Sequence, residues 1–303
     1  MSVAAFSKLF VDIIYAGLNK LPNPGEEIYS QGFDIQLGGG AALLPIVLNR
    51  LNVPSKLGTF LAHDLPSKIA RELLSDLNFT TYTNFYDETA PSPVAVSTAI
   101  SMHGDRSFIS FANPIDQKYC SEEQVYKFFS GSKLCFALAE YPEVMKKLRR
   151  EGTLIVYDTG WSDDLSLEKL APILQHVDIF TPNDKEALKL TGVNEVNLAV
   201  EILAGYVKYP VVTVGKNGSV SYQNKQIIQV AMPCEFAAID TTGAGDNFMA
   251  GLVYGFYHDW DLVKCMQIAN VLGGYSTTQF GCYKADITEE IALKYLNMYA
   301  TSI

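Results

Sequence analysis

IDTTGAGDNF (residues 239–248) is followed directly by the apolar run MAGLVYGFYH. A Gly-rich turn before an apolar run is typical of a loop that leads into a buried helix, whose first backbone N–H groups point outward. Gly243 and Gly245 permit a tight turn, so the amides of Gly243, Ala244 and Gly245 can converge at the positive end of that helix. The stretch therefore predicts an anion site where a helix begins near Asp246.

Asp246 ends this turn, and two roles suit it. A carboxylate beside such a group of amides would repel a resting phosphate, but it can accept the proton of an attacking hydroxyl. Asp is also a common cap of a helix that follows a Gly-rich turn. The residues alone leave both roles open.

Strand-like and helix-like segments alternate along the rest of the chain. The strand-like runs are nearly all apolar rather than alternating, as expected of parallel strands that helices cover on both faces. This rhythm predicts an α/β fold with a doubly wound sheet. The predicted strands are 8–16, 55–61, 133–139, 153–160, 177–183 and 210–215, and the predicted helices are 66–77, 141–152 and 184–192.

Two β-rich segments, 25–37 and 92–113, interrupt the rhythm, because neither has a helix beside it. HGDR at 103–106 is typical of a hairpin turn, and we expect the two segments to pair as a small antiparallel sheet. Such a sheet is either a lid over a site, formed by about 12–37 and 92–113, or an ordinary surface hairpin. Without linker-like stretches or repeats, residues 1–303 are expected to form one domain with this excursion.

The composition limits the partners and the compartment. A formal net charge of −10 and a pI near 4.9 disfavour nucleic acid and anionic membrane surfaces as partners. Five scattered cysteines without a C-x-x-C pair disfavour a disulfide framework and a structural zinc site. Lys8 and Asp12 interrupt the apolar N-terminal segment, and no later run is apolar enough to span a bilayer. We therefore expect a cytoplasmic protein.

The residues DTTGAGD, late in an α/β chain, resemble the C-terminal signature of the ribokinase-like (PfkB) carbohydrate kinases. The resemblance implies a mainly parallel sheet flanked by helices, with a small β-sheet lid. It also implies that the Gly243-Ala244-Gly245 backbone is an anion hole for the γ-phosphate of ATP, and that Asp246 is the catalytic base. The expected activity is ATP-dependent phosphorylation of a hydroxyl on a sugar or sugar-like small molecule.

Other segments resemble the family in the same order along the chain. FDIQLGGGAALLPIVLNRLN (33–52) is similar to its glycine-pair element, which implies substrate binding at Gly38, Gly39 and Gly40, while Asp12 matches an Asp that binds substrate hydroxyls. DIFTPNDKEALKLTG (178–192) is similar to its N-x-x-E element and implies that Asn183 and Glu186 help to hold Mg²⁺, largely through water. Taken alone, residues of this type and spacing are more often a helix cap and its capping-box partner.

The same resemblance extends, more weakly, to the nucleotide side of the site. It implies an ATP site and, in many members, a monovalent cation such as K⁺ next to the anion hole. The residues concerned are Asn183, Thr213, Gly215, Gly218, Gly243, Gly245 and Asn270 for ATP, and Asp240 and Thr242 for the cation.

This chain departs from the family pattern at the glycine pair, and the acceptor stays open. Leu43 stands where the family usually has an Asn that binds sugar hydroxyls, so we expect apolar contact with that part of the substrate, and ribose itself is in doubt. A nucleoside or a sugar phosphate is the alternative acceptor, and a non-catalytic regulator is a further alternative. A dehydrogenase is disfavoured, because no G-x-G-x-x-G turn follows the first predicted strand.

We also expect a homodimer, since the lids of two ribokinase-like subunits can pack together. The apolar side chains predicted to form that contact are Ile28, Phe33, Val96 and Phe108. Strand parity leaves open that some of them lie on the substrate face of the small sheet instead.

Overall fold

The computed structural model describes residues 1–86, 92–102, 105–113, 120–160, 162–283 and 286–301. Within these residues the larger sheet has nine strands in the order β13-β12-β11-β10-β9-β8-β1-β4-β5. In this spatial order, the strands from β11 across to β5 are parallel to their neighbours. Strands β12 and β13 add an antiparallel pair at the β11 edge. The strands are β1 (Ser2–Phe6), β4 (Ser55–Thr59), β5 (Tyr82–Asn84), β8 (Ser132–Phe136), β9 (Leu154–Tyr157), β10 (Ile179–Phe180), β11 (Tyr209–Thr213), β12 (Ser219–Gln223) and β13 (Gln226–Val230).

Helices cover both faces of this sheet, as the apolar strands predict. In β9, Ile155 packs into one core cluster and Val156 into the other, because successive residues of a strand point to opposite faces. Helices α8 and α9 are buried along most of their length. The helices are α1 (Leu43–Arg50), α2 (Leu65–Asp76), α3 (Glu122–Phe129), α4 (Pro142–Arg150), α5 (Leu167–Leu174), α6 (Asp184–Thr191), α7 (Val196–Leu203), α8 (Ala244–Tyr257), α9 (Leu262–Ser276) and α10 (Glu289–Leu296).

A second, smaller sheet has four strands in the order β3-β2-β6-β7 within the described residues. Its strands are β2 (Phe10–Ala16), β3 (Gly32–Leu37), β6 (Ala95–Met102) and β7 (Asp105–Phe111). Strands β6 and β7 form the predicted hairpin, although His103 and Gly104 of its turn lie outside the described residues. The sheet is mixed rather than antiparallel, because its central strands β2 and β6 are parallel.

The prediction that 8–16 begins the main sheet is wrong. The first strand of that sheet is Ser2–Phe6, and 10–16 turns into the small sheet. The short run SVAAF is buried between β4 and β8, where small side chains suit a crowded centre, and small side chains give only a weak strand signal. Within the described residues, no helix is both long and apolar enough to cross a membrane.

Candidate active site

The Gly-rich turn leads into helix α8 as predicted, but the helix begins before Asp246. Gly243 is its N-cap with φ of 70°, a left-handed conformation that suits glycine, and no side chain caps the helix. A Cβ on Gly243 would also lie 2.8 Å from the Sγ of Cys282. Asp246 is the third residue of the helix, so its carboxylate is not the cap and is available for another role.

The turn is held in shape by hydrogen bonds that do not involve Asp246. The Ala244 N–H donates to the Thr241 carbonyl at 3.2 Å, while the amides of Gly243 and Gly245 have no backbone acceptor within the described part of the chain. The side-chain amide of Asn247 donates to the carbonyls of Gly243 (2.9 Å) and Cys282 (3.2 Å). Asn247 thus ties the start of α8 to the loop that follows α9.

The Asp246 carboxylate lies against the glycine loop that precedes α1. It accepts a hydrogen bond from the Gly40 N–H, and a Cβ placed on Gly39 would be 2.5 Å from its Oδ2. Burial raises the pKa of Asp246 above its ordinary value, and the Gly40 hydrogen bond opposes that rise. Two segments that are remote in sequence therefore meet at one carboxylate, and only a residue without a side chain fits at position 39.

Asp12 lies on the small sheet and approaches the same loop. It is 9% exposed, and the Ser97 hydroxyl of the neighbouring strand β6 donates to its Oδ1. A Cβ on Gly38 would lie 2.9 Å from the Oδ2 of Asp12, so this glycine too is required by a carboxylate. The Tyr283 hydroxyl donates to the Gly38 carbonyl at 3.0 Å and fixes the loop from the other side.

The expectation that Leu43 contacts a substrate through its apolar side chain is wrong. Leu43 is fully buried in the main core cluster and no ligand can reach it. Gly40 has φ of 85° and turns the chain into α1. Ala41, two residues before Leu43, lies on the wall of a cavity instead.

Asn183 and Glu186 form a complete capping box at the start of α6. The Asn183 N–H donates to Glu186 Oε2, and the Glu186 N–H donates to Asn183 Oδ1, each at 2.9 Å. Glu186 is only 5% exposed, and burial raises its pKa while the Asn183 hydrogen bonds oppose the rise. The capping role is thus observed directly, and a role toward a metal remains a prediction.

Asp158 is a further carboxylate in this region, directly after strand β9. Its Oδ1 is buried and has no hydrogen-bond partner within the described residues. Burial raises the pKa of Asp158 well above its ordinary value, and the negative charges of Asp246 and Glu186 raise it further. Asp158 is therefore close enough to Asp246 and Glu186 to be affected by their charge.

A cavity of about 920 Å³ opens beside the turn and α8. It is the size of pockets that enclose a whole small-molecule ligand. The predicted residues on its wall are Thr213, Gly215, Gly218, Gly245 and Asn270. Asn183 and Gly243 are not on that wall, although Asn183 forms a β-bridge with Thr213. The Asn270 side-chain amide donates to the carbonyls of Val230 (2.9 Å) and Ala231 (3.3 Å), so it shapes the wall.

Asp240 organises the loop just before the turn. Its Oδ1 accepts the Thr242 N–H at 2.8 Å and its Oδ2 accepts the Gly281 N–H at 2.7 Å. The carboxylate therefore joins the loop before the anion turn to the loop after α9. Within the described residues, no group of three or more His, Cys, Asp or Glu side chains is arranged to hold a metal directly.

The family model of the pfkB family carbohydrate kinases matches residues 2–289. The chain belongs to this family. It is 26% identical to a nucleoside kinase of Methanocaldococcus jannaschii, over 90% of this chain and 89% of that protein. It is 23% identical to a ribokinase of Lactococcus lactis, over 92% of this chain and 91% of that protein. The structure of the Arabidopsis thaliana ribokinase complexed with ribose and ATP has a TM-score of 0.79 at 23% identity and covers 97% of this chain and 98% of that one.

This pfkB kinase is therefore an ATP-dependent carbohydrate kinase, and the predicted resemblance and fold are confirmed. Two residues near its anion turn were missed in the sequence. Asp158 carried a usable signal, because it follows a buried parallel strand, at the sheet edge where ligands of open α/β sheets bind. Asn247 carried none, since its two acceptors are set only by the tertiary fold.

Proposed function

We propose that this kinase transfers the γ-phosphate of ATP to a hydroxyl of a sugar or sugar-like molecule, with Asp246 as general base and the amides of Gly243, Ala244 and Gly245 as anion hole. The position of Asp246 carries the proposal. Its carboxylate meets the glycine loop through Gly40, while the same helical turn lines the large cavity through Ala244 and Gly245. The carboxylate thus lies between the proposed acceptor side and the proposed ATP side.

In this mechanism the acceptor hydroxyl loses its proton to the Asp246 carboxylate, and its oxygen forms a bond to the γ-phosphorus. The bond between that phosphorus and the β–γ bridging oxygen breaks, and ADP leaves with the electron pair. Burial raises the pKa of Asp246 and so makes it a stronger proton acceptor, while the Gly40 hydrogen bond favours its ionised form. The amides at the positive end of α8 stabilise the charge on the transferred group.

Asp12 and the loop Gly38–Gly40 are proposed to hold the acceptor. Asp12 supplies a carboxylate that accepts hydrogen bonds from hydroxyl groups. Because Gly38 and Gly39 have no side chain, the sugar ring of the acceptor can approach both Asp12 and Asp246. For ATP we propose Thr213, Gly215, Gly218, Gly243, Gly245 and Asn270, with Asn183 at the phosphate end.

Mg²⁺ fits the region between the phosphates and Glu186. The unpartnered Asp158 Oδ1, and the repulsion of Asp158 by the charges of Asp246 and Glu186, support a cation there. Without a direct ligand cluster in the described residues, Asn183, Glu186 and Asp158 would hold the ion largely through water, as Mg²⁺ tolerates. When bound, the ion neutralises phosphate charge.

Asp240 and Thr242 are proposed to lie beside a monovalent cation such as K⁺. The hydrogen bonds of Asp240 to Thr242 and Gly281 place a carboxylate where both loops meet behind the anion turn. Replacing K⁺ in the assay buffer by tetramethylammonium should then lower kcat. Equal rates in both buffers would show that Asp240 only holds the loops.

We propose that residues 1–303 form one domain in which the small sheet closes over the acceptor as a lid. Paired strand residues point to the same side, so Asp12, Ser97 and Phe108 share one face. The opposite face carries Phe33 and Val96 with three further apolar side chains of high exposure: Tyr15 at 38%, Ile109 at 69% and Phe111 at 66%.

A homodimer through this exposed face is the proposed assembly, since such a patch commonly marks an interface. The strand register moves Phe108 from the predicted contact to the Asp12 face, and Ile28 lies outside the strands. All five cysteines are free thiols, which agrees with the reducing cytoplasmic compartment that we propose.

Asp246→Asn tests the proposal. An ATP-consumption screen over pentoses, hexoses, sugar acids, nucleosides and their phosphates first identifies an acceptor. The variant should then lose about 10²- to 10⁴-fold in kcat, the usual contribution of a general base. Its affinity for a nonhydrolysable ATP analogue should be retained in calorimetry. Asp76→Asn, at an exposed position at the end of α2, is the matched control. Near-normal turnover of Asp246→Asn would rule out the assignment.

A further inference from the structure

A second cavity, of about 530 Å³, lies beside the glycine loop and away from the proposed ATP cavity. It sits above the carboxyl ends of β1, β4, β8 and β9, the edge at which open α/β sheets bind ligands. Ala41 on its wall follows the residue whose N–H binds Asp246. Phe10 on its wall lies against Gly38, where an added Cβ would be 2.7 Å from the Cβ of Phe10. The cavity is therefore an extension of the acceptor side.

Six aromatic residues lie on the wall of this cavity. The Phe6 and Phe60 rings lie edge to face with centroids 5.2 Å apart, and both side chains are at least 94% buried. The Tyr157 ring lies 6.0 Å from Phe136 and is stacked on the buried Phe180, which fixes its orientation. The aromatic residues on the wall are Phe6, Phe10, Phe60, Phe136, Tyr141 and Tyr157.

Several polar groups on the wall already have partners in the protein. The Ser7 hydroxyl donates to the Lys8 carbonyl at 2.8 Å, and the Tyr141 hydroxyl donates to the Cys120 carbonyl at 2.7 Å. Lys8 Nζ donates to the Asn113 carbonyl at 2.6 Å. The carboxylates of Glu140 and Asp158 also lie on this wall, and the buried Asp158 Oδ1 has no hydrogen-bond partner within the described residues. A free sugar could pair hydroxyls with these carboxylates, but the hydroxyls beside the aromatic rings would stay unpaired and would cost free energy. A flat heterocycle would stack on those rings without that cost.

We propose that the acceptor is a nucleoside, with its ribose at Asp12, Gly38 and Gly39 and its base in the aromatic cavity. The proposal rests on the proposed function of Asp246. One ribose hydroxyl gives its proton to Asp246 and its oxygen bonds to the γ-phosphorus, while ADP leaves with the electron pair of the broken bond, so the products are a nucleoside monophosphate and ADP. Glu140, which is exposed on the cavity wall, would accept an N–H from the edge of the base.

Two variants test the cavity against the same pair of acceptors. The wild type should phosphorylate adenosine or cytidine with a kcat/KM at least about tenfold above that for D-ribose, since one stacked base contributes roughly 5- to 150-fold in affinity. Phe136→Ala should lower kcat/KM for the nucleoside by about 5- to 100-fold and change that for D-ribose by less than about threefold. D-Ribose is the internal control, because it is too small to reach both the catalytic carboxylate and the rings.

Ala139→Trp keeps the test valid if Phe136→Ala is unstable. Ala139 is exposed at the cavity wall, so a tryptophan there fills the cavity without disturbing the core. It should raise the KM for the nucleoside at least about tenfold and leave the KM for D-ribose unchanged. Equal effects of this variant on both acceptors would overturn the proposal.

Calorimetry separates this proposal from the proposed function. Asp246→Asn should bind the nucleoside about as tightly as the wild type, because the base and not the carboxylate supplies most of the affinity. A wild type that phosphorylates D-ribose or D-fructose but neither binds nor phosphorylates adenosine, cytidine, inosine or guanosine refutes the nucleoside and leaves the kinase mechanism intact. Nucleoside binding with full activity in Asp246→Asn would refute the catalytic base and leave the cavity assignment standing.

Discussion

Replacing Gly39 by alanine tests how the glycine loop positions Asp246. An added Cβ would lie 2.5 Å from Asp246 Oδ2, whereas ordinary contact begins at 3.4 Å. The carboxylate must therefore move by about 0.9 Å, the difference between these two distances. The next atoms, Asp246 Cγ at 3.5 Å and Cys282 Sγ at 3.6 Å, are at ordinary contact distances, and the φ of Gly39 is not in the left-handed region. The whole perturbation falls on one movable side chain, and the fold should survive.

The expected magnitude follows from that displacement. A misplacement of about 1 Å of a group near the chemistry costs roughly 10²-fold in rate, or about 2.7 kcal/mol in the activation barrier. We expect Gly39→Ala to lower kcat about 100-fold while the KM for ATP and the Tm change little. The assay is ADP release coupled to NADH oxidation, with the best acceptor at saturation, alongside thermal unfolding.

Two other glycines provide comparisons in the same assay. Gly38→Ala directs its Cβ at Phe10 and Asp12 instead of Asp246, so it should raise the KM for the acceptor more than it lowers kcat. Gly160→Ala meets no atom within 4 Å and should leave both constants unchanged. Gly39→Ala should also add little to Asp246→Asn, because both act on one carboxylate. Retention of wild-type kcat in Gly39→Ala, or full additivity with Asp246→Asn, would refute the reasoning.

Three further variants test the neighbouring proposals. Glu186→Gln should raise the Mg²⁺ concentration for half-maximal rate more than it lowers the Tm; a lowered Tm with an unchanged Mg²⁺ requirement would leave only the capping box. Asp158→Asn should raise the Tm at neutral pH. Because the pKa of Asp158 is raised in the folded protein, its carboxyl group destabilises the fold increasingly as pH rises above about 4, and the substitution removes this effect. A Tm gain that is the same at acidic and neutral pH would contradict this. Phe111→Glu should convert the proposed dimer of the 33.4 kDa chain to a monomer in light scattering. Glu123→Gln, at an exposed position, is the control. A monomeric wild type would refute the interface.

The α/β fold was predictable because its signals are local. Apolar runs bounded by turns indicated most of the parallel strands, and helical spacing indicated α2, α4 and α6 to within about two residues. The small sheet was predictable as β structure, since 92–113 contains a hairpin. Its mixed pairing was not, because β2 and β6 are far apart in sequence and no local pattern specifies a parallel contact between them.

The site was predictable where backbone geometry requires a residue type. A side chain at three glycine positions would collide with a neighbouring residue: Gly38 with Asp12, Gly39 with Asp246 and Gly243 with Cys282. The fold therefore requires glycine at these positions, and the requirement shows in the sequence as a glycine pattern. Leu43 was misjudged, because position along a motif does not reveal which face of a short helix is buried. Phe108 was misplaced for a similar reason, since a shift of one residue along a strand reverses the face.

Asp246 and Glu186 were each visible in the sequence, but their grouping with Asp158 was not. Asp158, Glu186 and Asp246 end or begin separate elements and come together only because parallel strands deliver their carboxyl ends to one edge. Burial raises the pKa of all three carboxyl groups, and the negative charges of Asp246 and Glu186 add to the rise at Asp158. A cation bound among them, as proposed for Mg²⁺, would offset that repulsion and lower the pKa of Asp158. The proposed metal affinity of this sheet edge and the raised pKa of Asp158 would then have the same physical origin, namely carboxylates that the fold brings together away from water.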